Sequence, residues 1–186
     1  MVEQVILAGL AGAATWTFLE YVIHRWLGHD VRLRPNPFAM EHIRHHSQGD
    51  YFAPTWKKVV IAAIVGAVLT PIAIKVTNPV VGPSYVAGLL LFYTAYEVVH
   101  RRMHTHAGIG SYGRWLRRHH FYHHFVNPDM NHGIISPVWD IVFGTYRPVG
   151  TIDVPHKMRM SWLVDPKTGN VIDDYAGTFQ LRQPQG

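Results

Sequence analysis

Apolar positions are concentrated in a few long runs. From Val59 to Tyr96 the only charged residue before Tyr96 is Lys75. Pro79, Gly82 and Pro83 follow it closely and predict a turn. The stretch therefore reads as two apolar helices, over about 59–76 and about 84–104. About 20 helical residues at about 1.5 Å each cross about 30 Å of hydrocarbon. Pro71 predicts a kink, which membrane helices tolerate. A third run, about 5–23, carries no charge before Glu20; no Lys or Arg precedes it and no clear cleavage site ends it, so it reads as a span rather than a signal peptide.

The more polar segments predict shorter elements. The first helix is expected to run to about Leu27, with Gly28 at its C-cap. Pro35 and Pro37 mark a loop before a short helix over 38–47. A helix over about 111–125 stops before Asn127-Pro128, and a short one from Val138 to Phe143 ends at Gly144. Residues 148–186, with a turn at Asp165-Pro166-Lys167-Thr168-Gly169, read as an irregular tail with one hairpin at most. The expected fold is an all-α integral membrane protein: one domain over 1–186, three transmembrane helices and a helical cap.

Charge adds an orientation. Residues 24–58 hold six Lys or Arg and residues 101–186 hold ten, whereas 1–23 hold none and the turn near 75–84 holds only Lys75. The positive-inside rule then puts the N-terminus outside and both basic segments in the cytoplasm. Because the basic residues flank apolar runs instead of forming one stripe, they read as topology, and no nucleic-acid partner is expected. The absence of cysteine excludes disulfides, thiolate metal sites and cysteine nucleophiles.

The chain has 14 histidines against 12 acidic residues. Ten fall into four patterns: His24 and His29 in HRWLGH; His42, His45 and His46 in HIRHH; His100 and His104 in HRRMH; His120, His123 and His124 in HFYHH. Residues three and four apart share a helix face. Each HxxHH thus offers three imidazoles from one side, and HxxxH offers two. His24 and His29 are five apart, so ending the helix near Gly28 is expected to let His29 turn back. An apolar hairpin separates the first two patterns from the last two, so all four return to one membrane face. Neutral imidazoles gathered there are costly unless a metal takes their lone pairs. One ion takes at most about six ligands, so ten nitrogens imply two ions, and all-nitrogen ligation suits Fe, Zn, Cu or Ni.

Glu20 lies four residues before His24 and Glu97 three before His100, which makes both candidates to accept the second N–H of a ligand histidine. His106, His119, His132 and His156 stand outside the patterns and read as ordinary hydrogen-bonded histidines.

The order HxxxxH, HxxHH, HxxxH, HxxHH resembles the fatty acid hydroxylase and sterol desaturase superfamily of membrane enzymes. EYVIHRWLGH (20–29) is similar to its first box and YEVVHRRMH (96–104) to its third. NHGIISPVWDIVFGTY (131–146) resembles the N-x-G…SP-x-WD…FGT stretch of the fatty acid hydroxylase branch. The resemblance covers about residues 20–148 and implies a non-haem dimetal site. That site is expected to hold two iron ions in function, with zinc as an alternative in isolated protein. O₂ and two electrons would be used to insert oxygen into a C–H bond of a fatty acyl chain. With no fused haem-binding domain in the sequence, the electrons are expected from a separate donor. Trp16, Trp26, Phe38, Tyr51, Phe52, Trp56, Phe121 and Tyr122 are candidates to line an acyl route. His132 replaces the apolar or aromatic residue expected inside N-x-G, which leaves an extra ligand or a substrate contact as roles for it. Sterol desaturation and carotenoid hydroxylation share this chemistry, and a non-catalytic metal-binding membrane protein is the alternative class.

Overall fold

The computed structural model describes residues 1–182. The chain is mainly helical: α1 (Val2–Val22), a π-helical segment (Ile23–His29), α2 (Pro37–Gln48), α3 (Thr55–Val76), α4 (Val81–Thr105), α5 (Gly110–Phe125) and α6 (Val138–Val142) precede strands β1 (Ile152–Val154) and β2 (Phe179–Leu181). It divides into two compact units, one of Met1–Glu20 with Ala53–Val98, the other of Tyr21–Phe52 with the chain from Val99 onward.

The first unit contains the apolar helices. None of the α3 side chains is buried, although Val59, Ile61, Ile64, Val68 and Ile72 lie along it. Among the described residues none covers these large apolar side chains, as expected of a surface whose solvent is lipid. At 22 residues, α3 is about 33 Å long, and it continues through Pro71 without interruption. α1 and α4 approach until their backbones touch: a Cβ at Gly12 would lie 2.0 Å from the Tyr85 carbonyl oxygen, and one at Gly88 2.0 Å from that of Gly9. Small residues at a crossing are how helices gain contact when lipid removes the hydrophobic drive. Trp16 packs edge-on to Tyr93, Tyr85 donates its hydroxyl hydrogen to Thr15, and Lys58 pairs with Glu97.

By length and apolar composition, α1 with its π-helical extension and α3 are the two helices among the described residues able to cross a membrane. α4 has the length, at 25 residues, but Tyr85, Tyr93, Thr94, Tyr96 and Glu97 dilute its apolar run.

The second unit is built from shorter, more polar elements. Asn36 caps α2 by accepting from the Ala39 N–H at 2.8 Å, with Pro37 at the first helical position. The segment after residue 148 corrects the expected irregular tail. β1 and β2 pair in parallel, Ile152 opposite Phe179, and Ile152, Val154, Met160, Leu163, Tyr175 and Phe179 form a buried core with Phe121 of α5. The predicted turn at 165–169 is present, flanked by an antiparallel bridge between Val164 and Val171. Residues 183–186 of the predicted tail lie outside the described residues. This small core also finishes α4: Trp162 Nε1 donates to the Met103 and His104 carbonyls at 3.0 and 3.1 Å, and Arg117 donates to that of Arg102 at 3.0 Å. These are carbonyls that a helix C-terminus leaves without an internal partner.

Candidate metal centre

The ten patterned histidines all belong to the second unit and converge into two groups of five. One holds His24, His29, His42, His46 and His123; the other holds His45, His100, His104, His120 and His124. Within each group one nitrogen per residue lies within 4.8 Å of all the others.

Local structure explains the sorting. On an α-helix, residues five apart point about 140° away from each other. The chain keeps His24 and His29 together by widening one turn: the π-helical segment closes i→i+5 bonds, a device common at functional sites. Gly28 therefore sits inside that turn and does not end a helix as predicted. It is glycine because the His42 ring is close; a Cβ there would lie 3.0 Å from His42 Cδ2. The two HxxHH patterns do not send three rings to one point. In α2, His42 and His46 enter the first group and His45 the second. In α5, His120 and His124 enter the second and His123 the first. Each group thus combines a preceding pair, an i,i+4 pair from its own HxxHH and the middle histidine of the other.

The geometry fits a metal ion. Two nitrogens bound at about 2.1 Å and at right angles to one another lie about 3.0 Å apart. The Nε2–Nε2 distances are 2.8 Å for His29–His42, 3.2 Å for His46–His123, 3.1 Å for His45–His100 and 2.7 Å for His104–His120. Pairwise hydrogen bonding does not account for the set: His24 Nε2 and both His124 nitrogens are buried with no hydrogen-bond partner. Burial, followed by repulsion from neighbouring imidazoles, holds His42, His46, His120, His123 and His124 well below the usual histidine range. The rings are therefore neutral near pH 7, which is the form that binds metal. The groups adjoin where His46 and His124 stack, with centroids 4.0 Å apart.

Backbone carbonyls orient several rings. His24 Nδ1 lies 2.5 Å from the His132 carbonyl oxygen, His123 Nδ1 2.8 Å from that of Met130, and His45 Nδ1 2.6 Å from that of Tyr51. Donating Nδ1–H to a carbonyl leaves the Nε2 lone pair free to bind an ion. Sequence reasoning missed these acceptors because any residue type supplies a carbonyl. Of the two carboxylates predicted as acceptors, Glu97 pairs with Lys58.

The loop supplying two of these carbonyls is Met130 with the NHG…SPVWD…FGT stretch that follows it. Asn131 is buried with φ 57°; its N–H donates to the Thr145 carbonyl at 2.9 Å and its side chain exchanges two hydrogen bonds with the Arg147 backbone. Gly133 leaves no room for a Cβ, which would fall 2.1 Å from the Ser136 carbonyl oxygen. Asp140 is fully buried and accepts from four donors: His132 N–H and Thr145 Oγ1 on Oδ1, Gly133 N–H and His119 Nε2 on Oδ2. Burial opposes its ionisation, yet the bonds from His119, Thr145 and Gly133 hold it below the usual carboxylate range.

None of the four histidines outside the patterns joins a group. His119 is spent on Asp140, His106 lies beside Thr105 on the surface, and His156 is exposed. His132 is buried edge-on to His24 and His123, and with His29, Arg25, Trp26, Asp129 and Phe143 it lines a cavity of about 620 Å³. Among the aromatic candidates, Phe52 packs on His45, His100 and His104, Phe38 stacks on His42, and Phe121 packs on His104. Trp56 is exposed, and Trp16 packs within the first unit.

Two convergent sets of five imidazoles, each placed where it could hold a metal ion, mark a helical protein with a candidate paired metal site. Comparison with known proteins places it further. Residues 9–145 match the family model for fatty acid hydroxylases, and the chain belongs to that family. It is 30% identical over 143 residues to the dihydroceramide fatty acyl 2-hydroxylase FAH2 of Arabidopsis thaliana, covering 72% of this chain and 58% of that one. It is 29% identical over 146 residues to the fatty acid 2-hydroxylase of Homo sapiens, covering 75% and 39%. A solved structure of full-length scs7p, with only its hydroxylase domain visible, matches with a TM-score of 0.62 at 26% identity, over 79% of this chain and 57% of that one. The chain thus spans little more than half the length of the Arabidopsis relative, at 58%.

Proposed function

We propose that the protein is an O₂-dependent lipid hydroxylase acting on a fatty acyl chain, with His24, His29, His42, His46 and His123 holding one ion and His45, His100, His104, His120 and His124 the other. The observation that carries this reading is the sorting of ten buried or half-buried imidazoles into two sets of five in a chain of the fatty acid hydroxylase family. Iron is the proposed metal, since a redox-active pair would supply O₂ activation that zinc cannot. The electrons are taken to come from a separate donor.

The chain's own residues bind and orient. Each group of five would hold one ion through its imidazole nitrogens. The His132, Met130 and Tyr51 carbonyls fix which nitrogen of His24, His123 and His45 faces inward. Phe38, Phe52 and Phe121 exclude water from around the rings. The cavity beside His29 and His132 is proposed to receive the substrate end nearest the reacting carbon. Relatives named as 2-hydroxylases support the carbon next to the acyl carbonyl, and the Arg25 guanidinium in that cavity is a donor suited to such an oxygen. α4 is proposed as a third span, with the basic segments and the metal centre on the cytoplasmic side.

The test is expression in a host of defined lipid composition, followed by mass spectrometry with and without O₂. A lipid heavier by one oxygen atom, lost in His45→Ala and in His123→Ala, is expected. Full loading with two ions and no oxidised lipid under any electron donor would make the protein a metal-binding protein instead.

A further inference from the structure

We propose that Asp140 is a positioning residue for one metal site only, the group of His24, His29, His42, His46 and His123, acting through the loop that carries the His132 and Met130 carbonyls. The proposal rests on reading the ten histidines as ligands to two ions.

Asp140 reaches no patterned histidine itself. Its Oδ1 accepts from the His132 N–H at 2.8 Å and from Thr145 Oγ1 at 2.7 Å; its Oδ2 accepts from the Gly133 N–H at 2.8 Å and from His119 Nε2 at 3.2 Å. Its own carbonyl accepts from the N–H groups of Thr145 and Tyr146 at 2.7 and 3.0 Å. One side chain thus fixes the peptide on each side of the His132 side chain and closes the loop from 131 to 146. Tyr21, at the foot of the π-helical segment, meets Thr145 Oγ1 at 2.9 Å, which ties that loop to the element bearing His24 and His29.

The loop acts on one group. Both carbonyls it presents, those of His132 and Met130, receive the Nδ1–H of first-group members, His24 and His123. In the second group the backbone partners lie after α2: the Tyr51 carbonyl meets His45 Nδ1, and the Gly49 backbone meets His104. The two sites therefore depend on different loops, although their donor sets are chemically identical. Asp140→Asn exchanges a two-oxygen acceptor for one oxygen and one N–H pair. Either way the new N–H groups would face a backbone N–H that cannot accept, that of Gly133 or that of His132, so the loop must move.

The experiment is a zinc titration of the purified full-length chain against a competing chelator, reading ions per chain and the affinity of each. Outer partners of metal-bound histidines are typically worth about 10–100-fold in affinity. Asp140→Asn is expected to weaken one ion by about that factor and leave the other within about twofold. Placed in His104→Ala, where the second group is broken, it should release the remaining ion. Placed in His42→Ala, where the first is broken, it should not. Thr145→Val, a milder cut that also frees Tyr21, should show the same one-sided pattern at smaller size and covers the case in which Asp140→Asn does not fold. Equal loss of both ions, or no loss from either, would overturn the assignment of Asp140 while two ions in the wild type left the ligand reading intact. A wild-type chain holding no zinc would sink that reading and the proposal with it.

Discussion

The two histidine groups have the same donors and different surroundings. The second group is enclosed: four of its five rings are buried, and Phe52 and Phe121 pack on them. The first is more open: His29 and His46 are only partly buried, and His29 lines a cavity of about 620 Å³ with Arg25, Asp129 and His132. His24 and His123 are oriented by a distant loop closed around Asp140, and His45 by the short connection after α2. Identical ligands thus do not make equivalent sites. Access and outer hydrogen bonds separate them, and in the proposed reaction these would decide which ion meets substrate.

The largest effect should come from removing a middle histidine. His45 and His123 are each carried by the helix that otherwise serves the opposite group, so His45→Ala and His123→Ala are expected to cost more than the roughly 10–100-fold of an outer partner in metal affinity. Each should empty a different site. If chelator titration shows both variants losing the same ion, the sorting of the ten residues is wrong.

Next in size is acid sensitivity of the metal-free protein. His42, His46, His120, His123 and His124 have pKa values lowered by burial from an unfolded value of 6.5. Above pH 6.5 both folded and unfolded states carry them neutral. Below it the unfolded chain takes up protons that the folded chain refuses, so stability falls as pH falls. Denaturant unfolding of chelator-treated protein between about pH 8 and pH 5 should show that loss, and bound zinc should raise stability across the range, because it adds to the folded state without changing its proton count. A profile independent of pH in the metal-free protein would contradict the buried neutral rings.

A smaller, one-sided effect is expected at Gly28. The Cβ of Gly28→Ala would lie 3.0 Å from the His42 ring, enough to displace it by a few tenths of an ångström. The first-group ion should exchange faster into chelator while the second is unchanged. The smallest effect belongs to His156→Ala, an exposed site where substitutions usually stay within about 0.5 kcal/mol. Metal content equal to wild type is expected, and a loss matching that of His123→Ala would show that histidine number matters more than placement.

Much of this was legible in the sequence. The apolar runs are long enough to identify helices by length alone, and i,i+4 spacing marks the rings that share a face. Assignment of His45 and His123 was not legible, because a helix face does not say which neighbour it meets. The π turn at His24–His29 adds one residue to a helix and leaves no signature beyond a spacing that looks wrong. Three of the acceptors for Nδ1 are main-chain atoms, which a search for carboxylates such as Glu20 and Glu97 does not see. The core around Phe179 escaped notice because β1 and β2 are three residues each and pair in parallel across a long separation, without local periodicity.

Anomalous diffraction at the metal edge, from crystals of the purified metal-loaded chain, bears most directly on the two-ion reading. Two peaks are predicted, one ringed by His24, His29, His42, His46 and His123, the other by His45, His100, His104, His120 and His124. A single peak shared between the groups, or peaks away from these rings, would contradict it.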